Sequence, residues 1–310
     1  MIAPNVVQGN VDDQVFLVGR PPLGEYMAFI TTLAVGGNSI SHGILAAEWR
    51  AANDHVRKLE VDEAGWADNP VIAAIPNSQQ ELAKQVLADP MFQRSYQVVP
   101  TNVGIVELDR LIVFQKSINL TYVRSLQSKL GNKPNDDDVF RFCLSVEHPC
   151  EPVRVMQTAA NSFTFISRSN DFRFVEPRLF GPAELVKYVP QGPVTNVLGL
   201  VVGYGSNFLS AIQAENRLIL INGSHRAYAL REKGITHIPC LIQQISRRAE
   251  LEVVIGGEIS AKPDLFLKEV RPPLLKDYFD PALRKLVQVT RKNRLVRVTF
   301  GVEQSDIPAS

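Results

Sequence analysis

Asn222, Gly223, Ser224, His225 and Arg226 follow one another between an apolar run and an amphipathic segment. A turn-former, a glycine, a hydroxyl, an imidazole and a guanidinium are residue types that together can hold an anion. Gly223 permits a backbone conformation or a close approach that a side chain would block, and Ser224 is a natural N-cap. The free N–H groups of a helix starting there would leave the glycine turn beside His225 and the planar fork of Arg226. That is a phosphate site in outline. The same joint is also ordinary strand-turn-helix chemistry, with Arg226 pairing an acidic neighbour and His225 capping a backbone group.

Four other groups could do chemistry. Glu107 and Asp109 could supply a general base if a regular strand aims both to one face; otherwise they are solvated residues of an edge strand. Asp136, Asp137 and Asp138 could bind a divalent metal. Adjacent carboxylates on a helix do not face one another, however, so a dipole-stabilising first turn with Asp136 as N-cap is expected. Cys143, His148 and Cys150 fit no closed tetrahedral zinc spacing and lack a fourth ligand nearby, so buried free cysteines rather than a metal site are expected. Arg284, Lys285, Arg291, Lys292, Arg294 and Arg297 form the one basic concentration, which could touch a DNA backbone but carries no interleaved aromatics for stacking on single strands. The Gly-x-Gly of "GYGSN", Gly203 to Asn207, is explained by a loop.

These residues need elements to position them. "RLILI" reads as a strand, "HRAYALREKG" as a helix closed by Gly234, and "HIPCLIQ" as a further strand. "NFLSAIQAENRLILI" reads as a hairpin turning near Glu215-Asn216. "SFTFISRSNDFRFVEP" reads as another, turning at Ser169, Asn170 and Asp171, and "LVQVTRKNRLVRVTF" as a third with Arg291, Lys292, Asn293 and Arg294 at its tip. Upstream, "SHGILAAEWRAANDHVRKLE" is helical. "SQQELAKQVLADP" is a helix with a Ser78/Glu81 capping box that Pro90 closes. "YVRSLQSKLG" is a short helix ending on Gly131, and the chain after about Ser246 reads as irregular. The expected fold class is α/β, mixed α+β. It comprises a mainly helical region over 1–100, a core over 101–245 with an insertion at about 132–200, and an extension over 246–310.

Composition bounds the function. The 310 residues are 45% hydrophobic and 21% charged, with a net charge of +1. This excludes a disordered chain and gives no support to a polyanion-coating protein. Three cysteines do not make a disulfide framework. No apolar run approaches a membrane span and the N-terminus lacks a secretory pattern, so a cytoplasmic protein without a membrane partner is expected.

The stretch "LINGSHRAYALREKGITHIPCLI" resembles the phosphate-binding box of the ParB/sulfiredoxin superfamily. Gly223, His225, Arg226, Ala227, Gly234, Ile238 and Pro239 stand in the matching places. "VGIVELDRLIVFQKSINLTYVRSLQSKL" is similar to the superfamily's first strand, turn and helix, so the resemblance covers about 103–130 and 207–244. It implies a ParB/sulfiredoxin-like core that binds ATP or CTP with Mg2+ and hydrolyses or transfers the terminal phosphate. Asn222, Gly223 and Ser224 would supply donors, His225 and Arg226 would hold the terminal phosphates, and Gln115 and Lys116 would join them from the first block. Glu107 is the remaining candidate base. Two alternatives stay open: a ParB-like nuclease or nucleotide-gated DNA binder using the Arg284–Arg297 segment, and a scaffold that keeps the fold without chemistry. Ser224 replaces the cysteine that sulfiredoxin requires, which argues against that activity. Gln115 and Lys116 stand where the free-serine kinases carry a carboxylate, and an amide cannot accept a hydroxyl proton.

Overall fold

The structure is a computed structural model describing residues 11–169, 171–185, 192–255 and 257–308. In chain order the elements are β1 (Val11–Leu17), α1 (Leu23–Leu33), α2 (His42–Asp62), β2 (Ile72–Ala73), α3 (Gln80–Ala88), α4 (Pro90–Ser95), β3 (Thr101–Glu107), β4 (Ser117–Asn119), α5 (Leu120–Leu130) and α6 (Asp136–Cys143). Then come β5 (Arg154–Ala159), β6 (Ser162–Ser167), β7 (Phe172–Phe180), β8 (Val197–Tyr204), β9 (Ser210–Ala214), β10 (Arg217–Asn222), α7 (Ser224–Glu232) and β11 (His237–Gln244). The chain closes with α8 (Arg248–Val254), α9 (Gly257–Ala261), α10 (Asp264–Leu267), β12 (Arg284–Thr290) and β13 (Arg294–Thr299). The class is mixed α and β, and no described helix is long and apolar enough to cross a membrane.

Two compact units share the chain. One takes the chain up to Glu147 plus Asn207–Arg291, the other His148–Ser206 plus Lys292 onward. Helix α6, inside the expected insertion, belongs to the first unit.

The first unit is organised on a five-stranded sheet of order β10-β9-β11-β3-β2, in which β9 and β11 run parallel and the other neighbours antiparallel. The β9–β10 hairpin turns where the sequence places it, with Glu215 and Asn216 at φ 43° and 64°. Positive φ at both central residues gives the turn twist that suits a two-residue hairpin. Strand β11 buries Ile238 through Gln243 because its sheet is covered on both faces, which explains its unbroken apolar run. Helices α5, α6 and α7 contribute Val123, Phe140 and Leu230 to the same core as Val106, Leu209 and Leu241. A second sheet, β12-β1-β4, sets β1 between a distant C-terminal strand and the short strand leading into α5.

The second unit holds the sheet β13-β6-β5 and the antiparallel pair β7-β8. Two expected hairpins are therefore corrected. β6 and β7 do not pair with each other, and Asn170 of their expected turn lies outside the described residues. β12 pairs with β1 while β13 pairs with β6, so the basic segment Arg284–Arg297 is divided between two sheets rather than displayed on one tip. β12 and β13 find partners remote in sequence, whereas β6 also pairs with the preceding β5 and β7 with the following β8; local alternation does not choose among such partners.

Capping differs in detail from expectation. Ser78 lies in a short 3-10 turn and α3 has no side-chain cap, whereas Asp89 caps α4 and puts Pro90 at its first position. Asn135, not Asp136, caps α6, in a reciprocal box with Asp138. The segment after Ser246 is not irregular: it forms α8, α9 and α10.

Candidate functional site

The corner expected to carry chemistry is the joint from β10 into α7. Gly223 sits at φ 93°, ψ 19°, the left-handed region, and is itself the N-cap; Ser224 is the first helical residue, a correction to its expected role. Glycine is required here twice over. The positive φ disfavours any side chain, and a Cβ would lie 2.8 Å from Leu209 Cγ. The first intrahelical bond runs from Ala227 N–H to Gly223 O at 2.8 Å. The amides of Ser224, His225 and Arg226 consequently have no hydrogen-bond acceptor among the described residues. Ser224 is 6% exposed, and its hydroxyl likewise carries no hydrogen bond to a described residue.

His225 turns toward the first block of the resemblance. Its Nε2 accepts the Asn119 N–H at 3.0 Å, which makes the ring neutral with its proton on Nδ1. Burial, followed by the charge of Arg226, pulls its pKa down to about 4. Tyr122, one turn into α5, meets the imidazole edge-on with ring centroids 5.4 Å apart. Two segments separated by about a hundred residues thus meet at one point. Asn119 also caps α5 through its side-chain oxygen and donates from Nδ2 to Asp12 at 3.0 Å, and Asp12 pairs with Arg291 at 2.7 Å.

Arg226 faces the other way. Its Nη1 donates to the carbonyls of Phe142 (3.3 Å), Cys143 (2.9 Å) and Asn207 (2.6 Å), and the residue is 6% exposed. Phe142 and Cys143 end α6, whose last carbonyls lack helical partners and carry partial negative charge. A guanidinium is therefore well matched there, although burial lowers its pKa. The expected contact of Arg226 with a terminal phosphate is corrected: in this geometry it ties α6 to the chain entering β9. Asn222 is structural too, donating from Nδ2 to Phe208 O at 3.0 Å.

The remaining candidates lie elsewhere. Glu107 ends β3 opposite His237 and pairs with Arg110 at 3.4 Å; Asp109 makes two bonds to Arg231, at 2.7 and 2.9 Å. The strand stops at Glu107 and Asp109 lies in a 3-10 turn, so the regular strand that would align both does not exist. Both sit at the C-terminal end of α7, about 13 Å of helix away from the corner at ~1.5 Å per residue. The base role proposed for Glu107 is corrected on that ground.

Gln115 and Lys116 line a cavity of about 540 Å³ to which none of Asn222–Arg226 contributes. Gln115 donates to Ser117 O at 2.8 Å, and Lys116 pairs with Glu25 at 2.6 Å.

Metal and thiol chemistry find no support. Among the described residues no three His, Cys, Asp or Glu are grouped for a metal ion. Asp12, bonded to Asn119 beside His225, is already engaged by Arg291 as well. The corner therefore does not fit a resident Mg2+. Burial pushes the Cys143 thiol up to about 12 and raises Cys240 also, so neither is a nucleophile; Cys150, expected buried, is instead exposed, in a loop after α6.

Sequence reasoning passed over Asn119 and Tyr122. Asn119 had a readable signal, an N-cap residue directly before a periodic helix. Asp12 had none, since only the β1–β4 pairing brings it to α5. No family model, no curated protein and no solved structure matches this chain.

Proposed function

We propose that the protein binds a nucleoside triphosphate, ATP or CTP, with its phosphates on the corner at Gly223. The observation that carries this reading is the set of unpartnered donors there: the amides of Ser224, His225 and Arg226 and the Ser224 hydroxyl, at the positive end of a nine-residue helix. His225 supports the same assignment. With Nε2 occupied by Asn119, its Nδ1–H is the face that can donate to a phosphate oxygen. Tyr122 and the start of α5 give the other wall. The resemblance to the ParB/sulfiredoxin superfamily points to the same corner, and the strand, helix and hairpin order of β3, α5, β9, β10, α7 and β11 is compatible with it.

Arg226 enters as a positioning residue that fixes α7 against α6. Any Mg2+ arrives as the nucleotide's own counter-ion, and the reading uses no metal step. In hydrolysis or transfer, the bond from the bridging oxygen to the terminal phosphorus breaks and a bond from water or an acceptor hydroxyl forms. Nucleoside diphosphate, a proton and either inorganic phosphate or the phosphorylated acceptor are the products. Fixed donors facing the developing charge are the main help a protein gives such a step.

A second reading, binding without turnover, is favoured by one specific finding. Arg226 is held on backbone carbonyls, and Glu107 and Asp109 are ion-paired at the far end of α7. The DNA-acting reading keeps its box but loses the single basic hairpin on which it drew. Isothermal titration with ATP and CTP, comparing wild type with Ser224→Asp, tests the proposal. A carboxylate at the helix start repels phosphate while suiting the helix dipole, so binding is expected in the wild type and at least tenfold weaker in the variant. Equal affinity in both would remove the corner from the account.

A further inference from the structure

We propose that the cavity beside the β1–α1 joint is a second ligand site, for a small monocarboxylate with an apolar body. It lies wholly within the first unit. Its volume of about 540 Å³ falls in the range of small-molecule sites, roughly 300–1,000 Å³. Much of the wall is apolar, from Leu17, Val56, Val113, Phe114, Leu265 and Phe266.

Charge decides the class of ligand. Arg20 and Arg271 both line the cavity, and their side chains are 9% and 1% exposed. They share a single carboxylate oxygen, Asp277 Oδ2, at 3.2 and 2.5 Å, and that oxygen also accepts the Leu274 N–H at 3.0 Å. Glu63 serves Arg271 at 2.9 Å and Lys276 at 2.8 Å. Arg20 and Arg271 thus divide one carboxylate oxygen between them, and Glu60 is the further acidic group whose charge reaches Arg20. A buried cation without a full counter-charge is costly, and an acidic ligand group relieves it. Arg20 donates to Arg271 O at 3.1 Å and to Asp277, while its buried Nε, like the buried Oδ1 of Asp277, has no partner among the described residues. Burial is the main cause that pulls its pKa down, opposed by the charge of Asp277 and, more weakly, of Glu60.

The rest of the lining limits the ligand to one negative charge. Glu60, Glu269 and Lys262 also line the cavity, and Glu25 there is already paired with Lys116. A triphosphate would meet those carboxylates, so this is not the nucleotide site. A single carboxylate on Arg20, with an aromatic or aliphatic body against Phe114, Phe266 and Leu265, satisfies both walls.

The test uses the full chain and three probes of one shape: 3-phenylpropionate, its neutral amide 3-phenylpropionamide, and the cation 3-phenylpropan-1-amine. Saturation-transfer NMR and calorimetry are expected to show saturable binding of the carboxylate, with the amide and the amine at least about tenfold weaker, about 1.4 kcal/mol. ATP should leave the carboxylate's affinity unchanged, which separates this site from the corner at Gly223. Leu265→Trp fills the cavity from a partly exposed position outside the buried ion network. It is expected to abolish binding with the melting temperature preserved. Arg20→Met should erase the preference for the carboxylate, and if that variant does not fold, Leu265→Trp still decides. Equal binding of the three probes, no saturable binding of the carboxylate, or binding unchanged by Leu265→Trp would each overturn the proposal.

Discussion

Replacing Arg226 with methionine removes the guanidinium but keeps a long apolar stem in place, so the lost stability reports the role of the charge. Nη1 reaches three carbonyls. The Cys143 oxygen has a second donor in Leu209 N–H at 2.8 Å and survives the change. Asn207 is exposed, so water can take over at its oxygen. Losing a hydrogen bond to a charged donor costs about 1.5–3 kcal/mol. A net loss of about 2 kcal/mol follows. For a domain of this size that lowers the melting temperature by roughly 4–8 °C, at about 2–4 °C per kcal/mol. Arg226→Lys should fall between, because an ammonium cannot span carbonyls from two segments as a guanidinium does. The assay is thermal and urea unfolding without nucleotide. A variant that melts with the wild type but binds nucleotide more weakly would refute the reasoning, since it would put the guanidinium on the ligand rather than on α6.

Two further outcomes follow from the same corner. His225 has its folded pKa lowered to about 4 from 6.5, so the unfolded chain takes up a proton first as the pH falls. Its contribution is complete above about pH 6.5 and is lost toward pH 4, at most about 3 kcal/mol for a shift of this size. His225→Gln keeps an acceptor for Asn119 N–H without titrating, so the difference in urea midpoint between wild type and variant should shrink steadily over that window; a constant difference would contradict the neutral, half-buried imidazole. Gly223→Ala should destabilise by about 1–2 kcal/mol from the left-handed backbone alone, with the clash on Leu209 adding to it. An unfolding midpoint equal to the wild type would show that the corner can relax.

The sequence carried some of this plainly. Glu215-Asn216 marks its hairpin because few residues tolerate positive φ in succession, and Gly223 and Gly234 bracket α7 for the same local reason. Helix α5 ends on Gly131 as its spacing requires. What failed was long-range pairing. Nothing in "LVQVTRKNRLVRVTF" says that its halves find β1 and β6, because each half alternates well enough to pair with its neighbour. The direction of Arg226 was equally hidden, since it depends on where α6 ends in space, as was the sharing of Asp277 by Arg20 and Arg271 across some 250 residues. Local chemistry was readable at the corner, whereas the choice between a ligand and a protein carbonyl was not.

The central claim is that phosphate oxygens meet the amides at the start of α7. Titrating the isotope-labelled protein with ATP and CTP, while following its backbone amide resonances, tests this directly. The account predicts saturable shifts largest at Ser224, His225 and Arg226, with smaller ones at Asn119 and Tyr122. Shifts confined to other segments, or no saturable shift at those three amides, would contradict it.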